Sequence, residues 1–76
     1  MEETIVHTFQ KSESEEGRIS LRNYKGKTYV DLRVFFKPKG EETFKPTKKG
    51  LTLDVRFLGE LLSGIEKACA KEPVTA

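Results

Sequence analysis

A chain of 76 residues with one cysteine, no tryptophan and a net charge of +2 is one domain at most, and at that size a single hydrophobic core gives only marginal stability. Cys69 stands alone and so excludes an internal disulfide, and neither it nor the only histidine, His7, has companions at metal-ligand spacing; oligomerisation is the remaining way to stabilise so small a scaffold. The first residues carry neither the basic start nor the apolar stretch of a secretion signal, and no apolar run approaches the roughly 18 residues of a membrane span, so the expected location is cytoplasmic, at the nucleoid.

Thr4 to Phe9 is β-branched and aromatic and reads as a first strand, with His7 on its surface. Lys11 to Gly17 is polar, charged and closed by glycine, which predicts a loop too hydrophilic to pack. Arg18 to Tyr24 alternates strictly, with Ile19 and Leu21 on a core face and Arg18, Ser20, Arg22 and Tyr24 on a basic one. Lys25-Gly26 supplies a tight hairpin turn. Thr28 to Phe36 alternates again: Thr28, Val30, Leu32, Val34 and Phe36 share one face, and Tyr29, Asp31, Arg33 and Phe35 the other. Pro38 and Gly40 end that strand.

A fourth, shorter strand is predicted between Phe44 and Leu53, interrupted near Pro46. Asp54 suits a helix N-cap, and Val55, Leu58, Leu61, Leu62, Ile65, Ala68 and Cys69 then recur at helical spacing, with Phe57 widening the stripe. Gly59 and Gly64 each cost about 1 kcal/mol relative to Ala inside a helix, so they are expected to mark a close approach or a bend. Phe9, Phe44 and Phe57 are assigned to the core, and Cys69 to helix packing. Residues 1–71 form the domain; residues 72–76 are read as a disordered tail.

Charge is segregated along the chain. Residues 18–56 hold eleven Lys and Arg against four Asp and Glu, whereas residues 1–17 hold five Glu against one Lys. A basic centre fits a polyanionic partner, although lysines also solubilise a sheet and guard its edges. No catalytic constellation is present: His7 and Cys69 lie on different elements, Asp31 and Asp54 lack a second carboxylate, and Lys48-Lys49-Gly50-Leu51 lacks the spacing of a phosphate loop. The chain is read as a non-enzyme. Cations interleaved with aromatics on strands suit single-strand binding, in which phosphates meet cations and unstacked bases lie on rings; Tyr24, Tyr29, Phe35 and Phe36 are the candidate rings.

Three blocks carry a resemblance: Arg22-Asn23-Tyr24-Lys25-Gly26-Lys27, Val30-Asp31-Leu32-Arg33-Val34-Phe35-Phe36 and Lys45-Pro46-Thr47-Lys48-Lys49-Gly50-Leu51-Thr52-Leu53. In order and spacing they resemble the single-stranded DNA-binding domain of the transcriptional positive cofactor four family, in a short bacterial-type form. The resemblance implies an α+β, ββββα, Whirly-like fold, in which a curved four-stranded antiparallel sheet precedes one kinked C-terminal helix, and a dimer whose sheets form channels for single strands. It assigns base stacking to Tyr24 and Phe36, and contacts to the sugar-phosphate backbone to Arg22, Lys25, Lys27, Arg33, Lys45, Lys48 and Lys49. The second stacking aromatic of the family is typically Trp, where this chain has Phe36. Phe36 also differs in strand parity from Arg33, so either a bulge near Phe35 re-aims it or Phe35 shares the role.

The expected partners are single-stranded DNA, RNA through the same chemistry, a second copy of the chain, and the transcription or replication machinery; no cofactor, metal or membrane is expected. The expected function is strand binding with little sequence specificity, in transcription regulation or in DNA replication and repair. The dimer is expected to form through Val55, Leu58, Leu61, Leu62 and Ile65, a stripe wider than one small sheet covers. The competing reading is a protein-interaction module that docks that helix stripe on a larger complex.

Overall fold

The computed structural model describes residues 2–72. Four strands form one antiparallel sheet in chain order, β1 (Glu2–Gln10), β2 (Glu15–Tyr24), β3 (Lys27–Phe36) and β4 (Lys45–Asp54), followed by a 3₁₀ turn (Val55–Phe57) and helix α1 (Leu58–Lys71). The sheet is a meander, so β1 and β4 are its two open edges. Among the described residues no helix is long and apolar enough to cross a membrane.

The β2–β3 hairpin organises the sheet. Lys25 (φ 50°) and Gly26 (φ 79°) both take the left-handed conformation, the two-residue turn whose twist matches the strands it joins. That turn sets Tyr24 opposite Lys27, Arg22 opposite Tyr29, Ser20 opposite Asp31 and Arg18 opposite Arg33. Opposed residues share a face, so the alternation legible in each strand becomes two continuous surfaces. Ile19, Leu21, Val30, Leu32 and Val34 lie on the helix side with Leu51 and Leu53 of β4; Arg18, Arg22, Tyr29, Asp31, Arg33 and Thr52 lie on the other.

Two expectations about the strands change. Glu15, Glu16 and Gly17 belong to β2 and not to a loop, because they pair with Phe36, Phe35 and Val34 and the Phe9 ring lies directly over the bare Cα of Gly17. A side chain there would collide with that ring. Strand β4 is ten residues long, and Pro46 sits within it because an edge strand has no second neighbour to receive the missing N–H. Gly50 opposes Arg33 and Pro46 opposes Phe35, which leaves Thr47, Lys48 and Lys49 as a bulge across from Val34. Gly50 has no room for a side chain: a Cβ would stand 2.8 Å from the Arg33 Cα.

The helix region also departs from the sequence reading. The Asp54 carboxylate accepts from the Arg56 N–H at 3.0 Å, but the turn that it caps is 3₁₀, and α1 starts only at Leu58. Non-helical dihedrals occur at Phe57 (φ −92°, ψ 1°), and among the described residues nothing beyond its own stretch of helix comes within 4 Å of a Cβ placed on Gly59 or Gly64. Phe9 and Phe57 are exposed, Phe44 is half-buried and Cys69 is exposed, so none of the four belongs to a core formed by one chain. Leu58 and Leu61 reach Ile19, Val30 and Leu32 across an apolar gap of about 150 Å³, while Leu62 is 59% exposed and Ile65 48%. The Cα radius of gyration is 14.2 Å, against about 11 Å for a compact chain of this length. Glu72 caps α1, and the rest of the expected tail, residues 73–76, lies outside the described residues.

Candidate nucleic-acid interface

The face opposite the helix is built around one carboxylate. Asp31, in the central strand β3, is 1% exposed; Arg33 Nη2 donates to it at 2.9 Å, Arg33 Nε at 3.1 Å and the Thr52 hydroxyl at 2.6 Å. The Arg22 Nη2 atom stands 3.9 Å away as an ion-pair partner. Burial alone would push the Asp31 carboxyl up, but the Arg33 and Thr52 hydrogen bonds and the charges of Arg33 and Arg22 outweigh it and hold the group below its ordinary value. The same contact raises Arg33. Ser20, opposite Asp31, is equally buried, and no buried side-chain polar atom among the described residues lacks a partner.

This network fixes the two arginines. Arg33 donates its third edge, Nη1, to the Thr47 carbonyl at 2.8 Å, and so ties β3 to the bulge of β4. The Thr47 hydroxyl donates to the Val34 carbonyl at 2.6 Å and accepts from the Lys49 N–H at 3.2 Å, which shapes the bulge that presents Lys48 and Lys49. Arg22 Nε donates to Glu3 of β1 at 2.9 Å. Arg18 pairs with Glu16 and lays its guanidinium over the Phe35 ring, 4.0 Å from the centroid. Phe35 is 7% exposed beneath it.

The nine residues singled out from sequence fall into three groups. At the hairpin end, Arg22, Tyr24, Lys25 and Lys27 come together, with Tyr24 48% exposed and the Lys25 ammonium 5.2 Å from its ring centre. In the middle, Arg33 is occupied by Asp31 and Thr47, while Lys48 and Lys49 project from the bulge. At the far end lie Phe36 and Lys45, the latter paired with Glu41 at 2.9 Å. Phe36 keeps the parity of Val30 and Leu32, is 41% exposed, and borders an open groove with Lys37 and Lys39. Nine residue steps along β3 separate Lys27, beside Tyr24, from Phe36, or about 30 Å of extended strand. One base cannot touch both aromatics. Among the described residues no carboxylate pairs with Lys25, Lys27, Lys48 or Lys49.

Sequence reasoning did not select Asp31 and Thr52 as site residues. The available signal was parity: Asp31 lies between Tyr29 and Arg33 on the basic face of β3, where an unpaired acid would be costly. Tyr29 and Thr52 join Arg22 and Tyr24 around a concavity of about 300 Å³.

The family model described as Transcriptional Coactivator p15 (PC4) matches residues 11–63. The crystal structure of a PC4 homologue from Burkholderia pseudomallei is 30% identical over 88% of this chain and 97% of that one, with a TM-score of 0.80. A bacteriophage T5 homologue of PC4, described as implicated in recombination-dependent DNA replication, shares the fold at TM-score 0.73 and 16% identity, over 93% of this chain and 81% of its own. MoSub1, solved in complex with single-stranded DNA, is 25% identical over 84% of this chain and 72% of its own, with a TM-score of 0.58. No curated protein matches the chain.

Proposed function

Because this chain belongs to the transcriptional coactivator p15 (PC4) family, we propose that it binds single-stranded DNA, and RNA by the same contacts, with little sequence preference and as a homodimer. The observation that carries this reading is the hairpin end of the basic face, where exposed Tyr24 stands beside Lys25 and Lys27, neither of them paired with a carboxylate. A ring open to solvent offers a stacking surface to any base, and the lysines follow the phosphates; neither contact depends on sequence. Lys48 and Lys49 extend the cationic track along β4, and Phe36, which has helix-side parity, offers a second stacking point only to a strand that turns round the far end of the sheet past Lys37 and Lys39. A duplex keeps its bases inside, so only unpaired strands, such as those opened during transcription, replication or repair, meet both features.

The dimer rests on surface area. The chain exposes 6266 Å², against about 4,700 Å² for a compact monomer of its mass. The apolar part of that exposed surface includes the stripe of Leu58, Leu62 and Ile65, together with Leu51 on the same side of the sheet. A second copy related by a two-fold axis covers that stripe and sets two basic faces in one particle.

Fluorescence anisotropy with a labelled oligo-dT and a duplex of equal length tests the binding. Strong, salt-sensitive binding of the single strand and much weaker binding of the duplex are expected. Equal affinity for both would overturn the reading.

A further inference from the structure

We infer that Tyr24, Tyr29, Arg22 and Thr52 form a slot for one nucleobase, with Tyr29 as its second wall. The inference rests on the single-strand reading above and goes beyond it, by naming a base-enclosing subsite where that reading needs only an open ring. The four side chains border a concavity of about 300 Å³ on the basic face. In the register, Tyr29 is opposite Arg22 and Tyr24 is opposite Lys27, so the two tyrosines are diagonal neighbours across the hairpin. The strand positions of such neighbours lie about 7–8 Å apart, so rings held parallel at that spacing would stand about two of the roughly 3.4 Å base-stacking steps from each other. That separation admits one flat ring between them.

The floor of the slot suits the edge of a base. Thr52 donates its only hydroxyl hydrogen to Asp31 at 2.6 Å, so its oxygen can only accept from a ligand. Arg22 directs Nε to Glu3 and keeps N–H donors on its two terminal nitrogens. One acceptor and one donor thus border the same concavity. Every nucleobase presents a donor next to an acceptor on its pairing edge, so the slot requires a base without choosing among the four. Asp31 acts from behind as a positioning residue, because it fixes the direction of the Thr52 hydroxyl and draws on Arg22.

The composition supplies a direct readout. The chain has no tryptophan and two tyrosines, and both line this slot, so its tyrosine fluorescence reports the slot alone. Oligo-dT and an abasic strand of equal length are titrated into the full chain, with strand binding followed separately through the anisotropy of an end label. Saturable tyrosine quenching by oligo-dT and none by the abasic strand is the expected result, and Tyr29→Leu is expected to weaken oligo-dT binding about fivefold or more while leaving the salt dependence unchanged. Thr52→Val, which alters neither charge nor the rings, is expected to narrow the difference between oligo-dT and the abasic strand. A Tyr29→Leu protein that binds like the parent would overturn the slot and leave the strand-binding reading intact, whereas tight binding without tyrosine quenching would overturn the slot and also remove Tyr24 as the stacking ring. Absence of binding in the anisotropy channel would overturn both.

Discussion

The two faces of this sheet are built from the same strands and reach opposite degrees of completion. On the basic face every buried side-chain polar atom among the described residues has its partner within one chain: Asp31 collects Arg33 and Thr52, Arg33 reaches across to Thr47, and Arg22 is held from β1 by Glu3. On the helix face the apolar residues meet only in part, and Leu62 and Ile65 remain about half exposed. Hydrogen bonds are directional and saturable, so a single chain can complete them. Apolar burial scales with area, and a 76-residue chain has too little area to cover its own stripe. The polar face is therefore complete within one chain, whereas the apolar face is left partly uncovered, which is where the proposed dimer would form.

Substitutions on each face test that asymmetry. The largest expected effect comes from Asp31→Ala, which leaves Arg33 without its carboxylate in a half-buried site and is expected to cost on the order of 3 kcal/mol in denaturant unfolding; a loss below ~1 kcal/mol would mean that the network is incidental. Leu62→Glu places a charge in the apolar stripe. Sedimentation is expected to show the particle fall from twice 8.7 kDa to 8.7 kDa, with a loss of about 2 kcal/mol or more in association free energy, and a variant that stays dimeric would locate the interface elsewhere. Tyr24→Ala and Phe36→Ala are each expected to weaken oligonucleotide binding by roughly 1–3 kcal/mol without altering the dimer. Neutralising Lys48 and Lys49 is expected to lower the slope of log affinity against log salt by about 0.7 for each lost phosphate contact, and an unchanged slope would remove the bulge from the strand path.

The smallest effect is acid sensitivity. The folded state holds the Asp31 carboxyl below its ordinary value, so the network contributes in full above the unfolded-chain pKa of about 3.9 and is lost as pH falls through the lower folded value. Asp31→Asn is expected to flatten the decline of stability in that acid range. A decline as steep as that of the parent would assign acid sensitivity to other carboxylates.

Alternation made β2 and β3 legible, since one residue in two had to be apolar on the covered side, and the Lys25-Gly26 turn then fixed their register. The parity mismatch between Arg33 and Phe36 was legible for the same reason, and the structure sorts the neighbouring rings by placing Phe35 under Arg18 and leaving Phe36 open. What sequence could not show was long-range. Gly17 in β2 depends on a Phe9 ring that arrives from the neighbouring strand, and Pro46 in β4 depends on that strand being an edge. The roles of Asp31 and Thr52 depend on a register between strands joined by an irregular connection. Phe9 and Phe57 looked like core residues because they are large and apolar; one chain does not supply enough neighbours to bury them.

Amide NMR of the isotope-labelled protein titrated with oligo-dT tests the division of labour between the faces most directly. Shifts concentrated at Arg22 to Tyr29, at Phe36 and around Lys48 to Thr52, with Leu58 to Ile65 unmoved, are the result this account predicts. Shifts confined to the α1 stripe, with the amides of β2 and β3 unchanged, would contradict it.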